Sequence, residues 1–200
     1  MKEKYPDPED AVPYVEWRRK IYDERADKIA RAAEIQGDDC VLEIGPGLGS
    51  LTRYLAASAQ KVTAVELDPD LLAPLRAVLS PYQNVNVIHG DILKLNISEI
   101  IEQPDYLVAA NIPYNITSAI IRHLLESTPK PRRVVLTIQK EVAERICAAP
   151  GDLSLLALSV QVYGRPSIAA KIPAGAFHPV PKVDSAILRI DIHKEPLIPA

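Results

Sequence analysis

Short runs rich in Val, Ile and Leu alternate with amphipathic stretches along most of this chain, and this alternation most strongly constrains its fold. Strands that alternate with helices favour a parallel sheet covered by helices on both faces. The last two β-rich runs instead follow each other across a Pro- and Gly-containing segment, which predicts a closing hairpin. The predicted strands are residues 40–44, 61–66, 84–89, 106–110, 133–138, 167–172 and 185–192.

The composition places the chain among globular proteins. Its 200 residues are 48% hydrophobic, enough for a core without disulfides or a structural metal. No apolar run reaches the roughly 18–20 residues of a membrane helix, and the charged, Pro-bearing N-terminus is not a signal peptide. Two plain cysteines, Cys40 and Cys147, favour a reducing cytosol, so we expect a cytoplasmic location.

The N-terminal part of the chain differs in character from the rest. Residues 1–13 contain three prolines among acidic residues and are predicted to form an irregular arm. Residues 14–35 show a helical pattern. The net charge of the chain is −3, yet residues 122–189 carry 10 Lys/Arg against 5 Asp/Glu. This excess indicates either a local basic surface or an ordinary solvated surface of mixed charge.

The first candidate site is the glycine-rich turn Glu43–Gly49, which follows the first predicted strand. Ligands of parallel sheets bind at the carboxyl ends of the strands. Glycines let the backbone turn sharply and approach a ligand closely. The spacing G-x-G-x-G differs from the dinucleotide fingerprint G-x-G-x-x-G, and it is typical of the first motif of S-adenosylmethionine-dependent methyltransferases. The alternative interpretation is a tight turn without a ligand.

Two acidic positions follow the next two strands. Glu66 ends the second strand, where a carboxylate can accept both hydrogen bonds of a ribose diol, or can simply be a solvated acid. Asp91 lies after the third strand and can accept from an adenine amine while Ile92 packs on the ring, although Gly-Asp alone is ordinary turn chemistry. Asp68 is interpreted as a helix cap rather than a ligand contact.

The segment Asn111–Asn115 after the fourth strand is the most informative. The Asn111 side chain and the backbone carbonyl beyond it offer two acceptors. Pro113 fixes the bend, and Tyr114 offers a flat face for stacking a base. Two acceptors beside an aromatic wall suit an aryl amine, and the motif is typical of methyltransferases that act on the amino groups of bases. The alternative is an incidental loop.

A proline-stiffened loop near the end carries the last candidates. Phe177 is the chain's one phenylalanine, and it is either a core anchor or a stacking partner for a flipped base. Lys182, five positions later, can meet a backbone phosphate.

In this order, the motifs resemble the rRNA adenine N6-dimethyltransferase family, and more closely its small-subunit enzymes than its macrolide-resistance enzymes. The likeness runs from about residue 27 to residue 192. The motifs that carry it are Glu43–Gly49, Glu66–Asp68, Gly90–Ile92, Asn111–Asn115 and Phe177–Ser185.

The resemblance implies a Rossmann-like class I methyltransferase fold, α/β, with a seven-stranded mostly parallel sheet and a reversed last strand. It implies S-adenosyl-L-methionine as cofactor and no metal. The implied catalytic residues are Asn111, Pro113, Tyr114 and Phe177, the last two sandwiching the target base. The implied cofactor-binding residues are Glu43, Gly45, Gly47, Gly49, Glu66, Leu67, Asp91, Ile92 and Asn111.

The resemblance also implies the substrate. We expect N6-dimethylation of adenine in small-subunit rRNA or an immature small subunit, by a monomer that does not bind membranes. Lys182, Arg132 and Arg133 are the basic residues expected to contact RNA. Residues 26–195 are expected to form the catalytic domain, residues 1–25 an atypical N-terminal arm or helix, and the family's C-terminal helical domain is expected to be absent.

Two departures favour an alternative function. The family's Gly-Gln-Asn/His-Phe-Leu segment is replaced here by Trp17–Asp23, and the chain stops at Ala200, just after the last predicted strand. Both favour a non-catalytic or impaired module that binds RNA or the ribosome. A small-molecule amine methyltransferase is the third interpretation, against which the paired aromatic residues and the basic excess argue.

Overall fold

The computed structural model of the protein describes residues 22–177 and 180–197. Its strands are β1 (Cys40–Ile44), β2 (Lys61–Glu66), β3 (Val85–His89), β4 (Leu107–Asn111), β5 (Arg133–Gln139), β6 (Gly164–Ile172) and β7 (Ser185–Ile192). They form one seven-stranded sheet in the order β3-β2-β1-β4-β5-β7-β6. Strands β1 to β5 are parallel, whereas β7 runs antiparallel to both β5 and β6. The predicted fold, with its reversed last strand, is confirmed.

Helices connect the parallel strands and cover both faces of the sheet. Residues 22–33 are helical and are called α1. The other helices are α2 (Ser50–Ser58), α3 (Pro69–Leu79), α4 (Ile97–Ile100), α5 (Thr117–Glu126), α6 (Lys140–Ile146) and α7 (Leu155–Gln161). None of the helices within residues 22–177 and 180–197 combines the length and the apolar character of a membrane span.

The sheet separates two apolar layers. One layer packs α1 and α2 against the sheet through residues such as Ile29, Leu55, Val41 and Leu107. The other layer packs α5, α6 and α7 against the opposite face. Because side chains alternate along a strand, Glu43 in β1 shares the α1 side with Val41. Asn111 at the end of β4 shares the same side with Leu107 for the same reason.

Several local predictions agree with the structure. The Asp68 carboxylate accepts a hydrogen bond from the Asp70 N–H at 2.9 Å, so Asp68 caps α3 as expected. The predicted bounds of β1, β2 and β7 match the observed ones. The helix predicted for residues 14–35 is seen over residues 22–33. The predicted arm at residues 1–13 and most of the segment 17–23 lie outside the described residues.

Candidate active site

The glycine-rich turn between β1 and α2 is held in a conformation that favours glycine. Gly45, Gly47 and Gly49 have φ values of 67°, 58° and 81°. Residues with a side chain rarely adopt this left-handed region of φ, which explains why glycine stands at all three positions. The Gly45 N–H donates to the Val65 carbonyl at 2.9 Å, and this bond ties the turn to β2.

Alanine at position 49 is expected to destabilise the fold by about 1–3 kcal/mol. A Cβ atom there would lie 3.1 Å from the Leu75 side chain, and the positive φ adds backbone strain. Urea unfolding of Gly49→Ala measures the loss. The matched control is Gly37→Ala, where an added Cβ meets nothing within 4 Å. Equal midpoints for the two variants would contradict the expectation.

Glu66 lies directly beneath the turn and organises its backbone. One carboxylate oxygen accepts from the Gly47 N–H at 3.0 Å, and the other accepts from the Asp68 N–H at 2.9 Å. The residue is buried, with 6% of its surface exposed. An ionised carboxylate has about four acceptor positions, so each oxygen can still accept from a further donor such as a hydroxyl. The neighbouring Leu67 is largely exposed.

Asp91 and Ile92 follow β3 at the same edge of the sheet. The Asp91 carboxylate accepts from the Leu93 N–H at 3.1 Å and lies 3.7 Å from the Lys94 ammonium. Ile92 is buried in the apolar layer of α5 to α7. The Asp91 carboxylate therefore forms the ordinary turn hydrogen bond considered for Gly90–Ile92. It lies half-buried beyond the end of β3.

A cavity of about 490 Å³ opens above the turn. Glu43 and Gly45 line it from β1 and the turn, Asn111 from β4, and Tyr22 and Arg25 from α1. Its remaining lining residues are Ala26, Ile29, Pro46, Gly47, Leu48, Ser50 and Leu51. The volume lies within the roughly 300–1,000 Å³ of small-molecule sites.

Glu43 is the unusual group in this cavity. It is 1% exposed, and its Oε2 atom has no hydrogen-bond partner among the described residues. Burial, together with the nearby Glu66 charge, raises the pKa of Glu43 to about 8. The Thr52 side chain favours the charged form of Glu43 and offsets only part of this shift. A buried carboxylate oxygen without a partner is costly, so the position suits a ligand that brings a donor or a positive charge.

Glutamine at position 43 is expected to remove a pH-dependent loss of stability. The raised pKa means that the folded protein keeps a proton that the unfolded chain, with an ordinary value of 4.5, releases. The wild type therefore loses stability as pH rises from about 4.5 to about 8, and the variant does not. We expect Glu43→Gln to gain about 1–3 kcal/mol relative to the wild type between about pH 5 and about pH 8. Urea unfolding at both pH values tests this, with the exposed Glu195→Gln as control. If the free energy of unfolding changes by the same amount between the two pH values in the wild type and in Glu43→Gln, the prediction is refuted.

A second cavity of about 310 Å³ adjoins the first, and Asn111 lines both. Its other lining residues are Ile112, Pro113, Tyr114, Phe177 and Pro181. The Tyr114 and Ser185 hydroxyls are hydrogen-bonded at 2.6 Å, which fixes the Tyr114 ring to the start of β7. The structure thus brings Asn111, Pro113, Tyr114 and Phe177 around one pocket. His178 and Pro179 of the same loop lie outside the described residues.

The three basic residues predicted to meet RNA fall in two places. Lys182 is exposed and directly follows Pro181, a lining residue of the second cavity. Arg132 and Arg133 lie at the opposite edge of the sheet, before and at the start of β5. Arg132 forms a bidentate pair with Asp39 at 2.6 and 2.8 Å, and Arg133 pairs with Asp191 at 2.6 Å. The structure does not bring these two arginines together with the other candidate residues.

Tyr22 and Arg25 line the first cavity although the sequence interpretation did not single them out. They lie within residues 14–35, whose pattern indicated only an amphipathic helix. Their helix runs without a break over residues 22–33 and so crosses the boundary predicted between residues 25 and 26. The division into an arm and a catalytic domain stays a prediction. A possible signal was the arrangement of an aromatic and a cation three positions apart on one helix face.

Comparison with known proteins agrees with this arrangement. The ribosomal RNA small subunit methyltransferase A of Dehalococcoides mccartyi strain CBDB1 is 49% identical over 166 residues, which are 82% of this chain and 57% of that protein. The protein of the same name from Alkaliphilus metalliredigens is 42% identical over 176 residues, 85% of this chain and 61% of that protein. The chain therefore spans less than two thirds of the length of these relatives.

Solved structures give the same picture. The 23S rRNA methyltransferase ErmE superposes with a TM-score of 0.79 at 36% identity, covering 88% of this chain and 70% of that one. A dimethyladenosine transferase from Plasmodium falciparum superposes with a TM-score of 0.75 at 34% identity, covering 86% of this chain and 62% of that one. The family model described as ribosomal RNA adenine dimethylase matches residues 22–200. The chain belongs to the ribosomal RNA adenine dimethylase family.

Proposed function

We propose that the protein binds S-adenosylmethionine in the first cavity and transfers methyl groups to the N6 amine of an adenine in small-subunit rRNA. The observation that carries the proposal is the shared position of Asn111 between a cofactor-sized cavity and a pocket walled by Tyr114 and Phe177. The relatives named for small-subunit rRNA, at 42–49% identity, favour that substrate over the large-subunit rRNA named for ErmE. Residues 26–195 are proposed as the catalytic domain.

The first cavity and the strand ends beside it fit the cofactor, although Gly49, Glu66, Leu67, Asp91 and Ile92 are not among the residues that line that cavity. Glu66 presents two carboxylate oxygens, which match a ribose diol. The unpartnered Glu43 Oε2 atom offers an acceptor for the ammonium of the methionine end. Gly45, Gly47 and Gly49 leave the backbone free of Cβ atoms along that end. Asp91, with Leu67 and Ile92, is proposed to hold the adenine end, since these residues lie beyond β2 and β3.

The chemistry needs positioning more than acid–base groups. The cofactor, when bound, supplies a methyl group that its sulfonium makes electrophilic. The adenine amine is a weak nucleophile because its lone pair is shared with the ring. The Asn111 side-chain oxygen and the backbone carbonyl of Ile112 or Pro113 are proposed to accept hydrogen bonds from the amine. These bonds localise the lone pair on nitrogen and aim it at the methyl group. Each transfer replaces one amine hydrogen, which leaves the nitrogen as a proton to solvent.

The rings of Tyr114 and Phe177 are proposed to hold the extruded base between them. Extrusion from the surrounding stack costs a few kcal/mol, and stacking on aromatic side chains offsets it. Pro113 shapes the turn before Tyr114 with φ −61°, and the Ser185 hydroxyl restrains the Tyr114 ring. Lys182, which follows the lining residue Pro181, is proposed to meet a phosphate of the flanking strand. Arg132 and Arg133 are proposed to contact RNA, if at all, through a separate surface.

Methyl transfer to isolated ribosomal subunits tests the function. The protein is incubated with methyl-labelled S-adenosylmethionine and small subunits that lack adenine dimethylation, and the digested RNA is separated into nucleosides. The expected product is N6,N6-dimethyladenosine, with less label in large subunits treated in parallel. A folded protein that binds the cofactor and labels no adenosine would refute the proposal.

A further inference from the structure

The Arg25 guanidinium lies between two aromatic rings at the boundary of the two cavities. Its central carbon is 4.8 Å from the centre of the Tyr22 ring and 4.5 Å from the centre of the Phe177 ring. One of its terminal nitrogens donates to the Ala176 carbonyl at 3.4 Å. Helix α1 is thereby joined to the loop that carries Phe177, about 150 positions later in the chain.

This arrangement is a costly way to place a cation. Arg25 is 7% exposed, and burial lowers its pKa from the ordinary value. Among the described residues, its guanidinium meets two ring faces, the Ala176 carbonyl and the Tyr22 side chain as a hydrogen-bond partner, and it pairs with no carboxylate there. Elsewhere in the described residues, half-buried arginines such as Arg133 and Arg189 pair with acids. A buried arginine stacked on aromatic rings acts through geometry, because its planar group fixes the orientation of the rings it covers.

Phe177 is the ring that needs such support. It follows the short turn Ala174–Ala176 and is only half-buried. The guanidinium covers one face of its ring. The second cavity is lined by Phe177 but not by Arg25, so it uses ring surface that Arg25 leaves free. The same ring is thus covered by a cation on one face and also contributes surface to the proposed base pocket.

We propose that Arg25 is a positioning residue for methyl transfer, which holds the Phe177 ring so that its free surface stacks on the target adenine. This role rests on the proposed function of the second cavity. Through Arg25, helix α1 would contribute to binding of the target base. Arg25 does not touch the reacting atoms, so its substitution affects the reaction through Phe177.

The first test observes Phe177 without any activity. Because the chain has one phenylalanine, labelling with 4-fluorophenylalanine gives one protein ¹⁹F resonance. We expect Arg25→Met to shift and broaden this resonance and Arg25→Lys to do so less. The matched control is Arg31→Met on the same helix, where the Arg31 side chain is 79% exposed. An unchanged resonance in a folded Arg25→Met protein would overturn the proposal.

The second test is a double-substitution cycle on methyl transfer. We expect Arg25→Met to lower kcat/KM by about tenfold or more in the wild-type background. In a Phe177→Leu background the same change should have less than about a twofold effect, because the ring it supports is gone. Equal effects in both backgrounds would show that Arg25 acts independently of Phe177, which contradicts the proposed role.

A third measurement separates base positioning from cofactor binding, because Arg25 also lines the first cavity. We expect calorimetric titration with S-adenosylhomocysteine to give dissociation constants within about twofold for the wild type and Arg25→Met. A tenfold loss in the variant would assign Arg25 to the carboxylate of the cofactor instead. If the wild type transfers no methyl group, the proposed function fails, while the ¹⁹F resonance still decides whether Arg25 holds Phe177.

Discussion

Alanine at position 111 is expected to lower the rate of methyl transfer by about 100- to 1,000-fold, the usual cost of removing one preorganised polar group from a reacting centre. The variant loses the side-chain acceptor at the point where the two cavities meet. Without it, the amine hydrogens have one protein acceptor fewer, and the lone pair is no longer directed at the methyl group. The loss should appear in kcat and in kcat/KM to a similar degree, because the interaction forms fully only in the transition state.

Single-turnover transfer to small subunits measures this effect. The matched control is Asn86→Ala, the same change at an exposed position on the edge strand β3. The control should retain wild-type rates, and thermal unfolding should show that both variants fold. A rate for Asn111→Ala within about tenfold of the wild type would remove Asn111 from the catalytic role.

Alanine at position 66 is expected to weaken binding of S-adenosylmethionine by about 100-fold. Two hydrogen bonds to a charged acceptor are worth about 1.5–3 kcal/mol each before other contacts compensate, and about 1.4 kcal/mol corresponds to tenfold in affinity. The change also leaves the Gly47 and Asp68 N–H groups without their acceptor, so the glycine-rich turn loses its support. Both effects act on binding rather than on the reacting amine.

Calorimetric titration separates these contributions. Glu66→Gln keeps one side-chain oxygen and should bind more tightly than Glu66→Ala but more weakly than the wild type. The control Glu195→Ala removes an exposed carboxylate and should leave the dissociation constant unchanged. Wild-type affinity in Glu66→Ala would mean that the ribose, and with it the cofactor, binds elsewhere.

The parts of the site that follow strand ends could be predicted from the sequence. The glycine-rich turn, Glu66 and Asn111 each lie within a few residues of a buried strand, and parallel strands bring their carboxyl ends together. Each can be recognised from a few neighbouring residues, such as the three glycines at alternate positions in the turn. The structure gathers Glu43, Gly45 and Asn111 in one cavity as the parallel pairing of β1 and β4 requires.

The contact between Arg25 and Phe177 could not be predicted in this way. It depends on how α1 and a distant loop pack over the same face of the sheet, and neither residue carries a local signal for the other. The placement of Arg132 and Arg133 shows the same difficulty. Their charges contribute to a basic stretch of sequence, but their partners Asp39 and Asp191 are distant in the chain.

The sequence also indicates which strand of the predicted hairpin lies at the edge of the sheet, although the prediction did not use this pattern. Strand β6 alternates exposed and covered residues and contains Pro166, which is typical of an edge strand. Strand β7 begins with an unbroken buried run, Ser185–Leu188, which is typical of a strand covered on both faces. A hairpin with these two patterns can join the sheet only through β7.

The hydrogen bond between Tyr114 and Ser185 links residues 71 positions apart, so the wall of the second cavity joins segments that are synthesised at different times. The residues that line the first cavity all lie between Tyr22 and Asn111. The second cavity also needs Phe177 and Pro181, and Ser185 begins β7, which lies between β5 and β6 in the sheet. Because synthesis delivers the N-terminal part of a chain first, a growing chain contains every lining residue of the proposed site for the methyl donor before it contains those that complete the site for the acceptor.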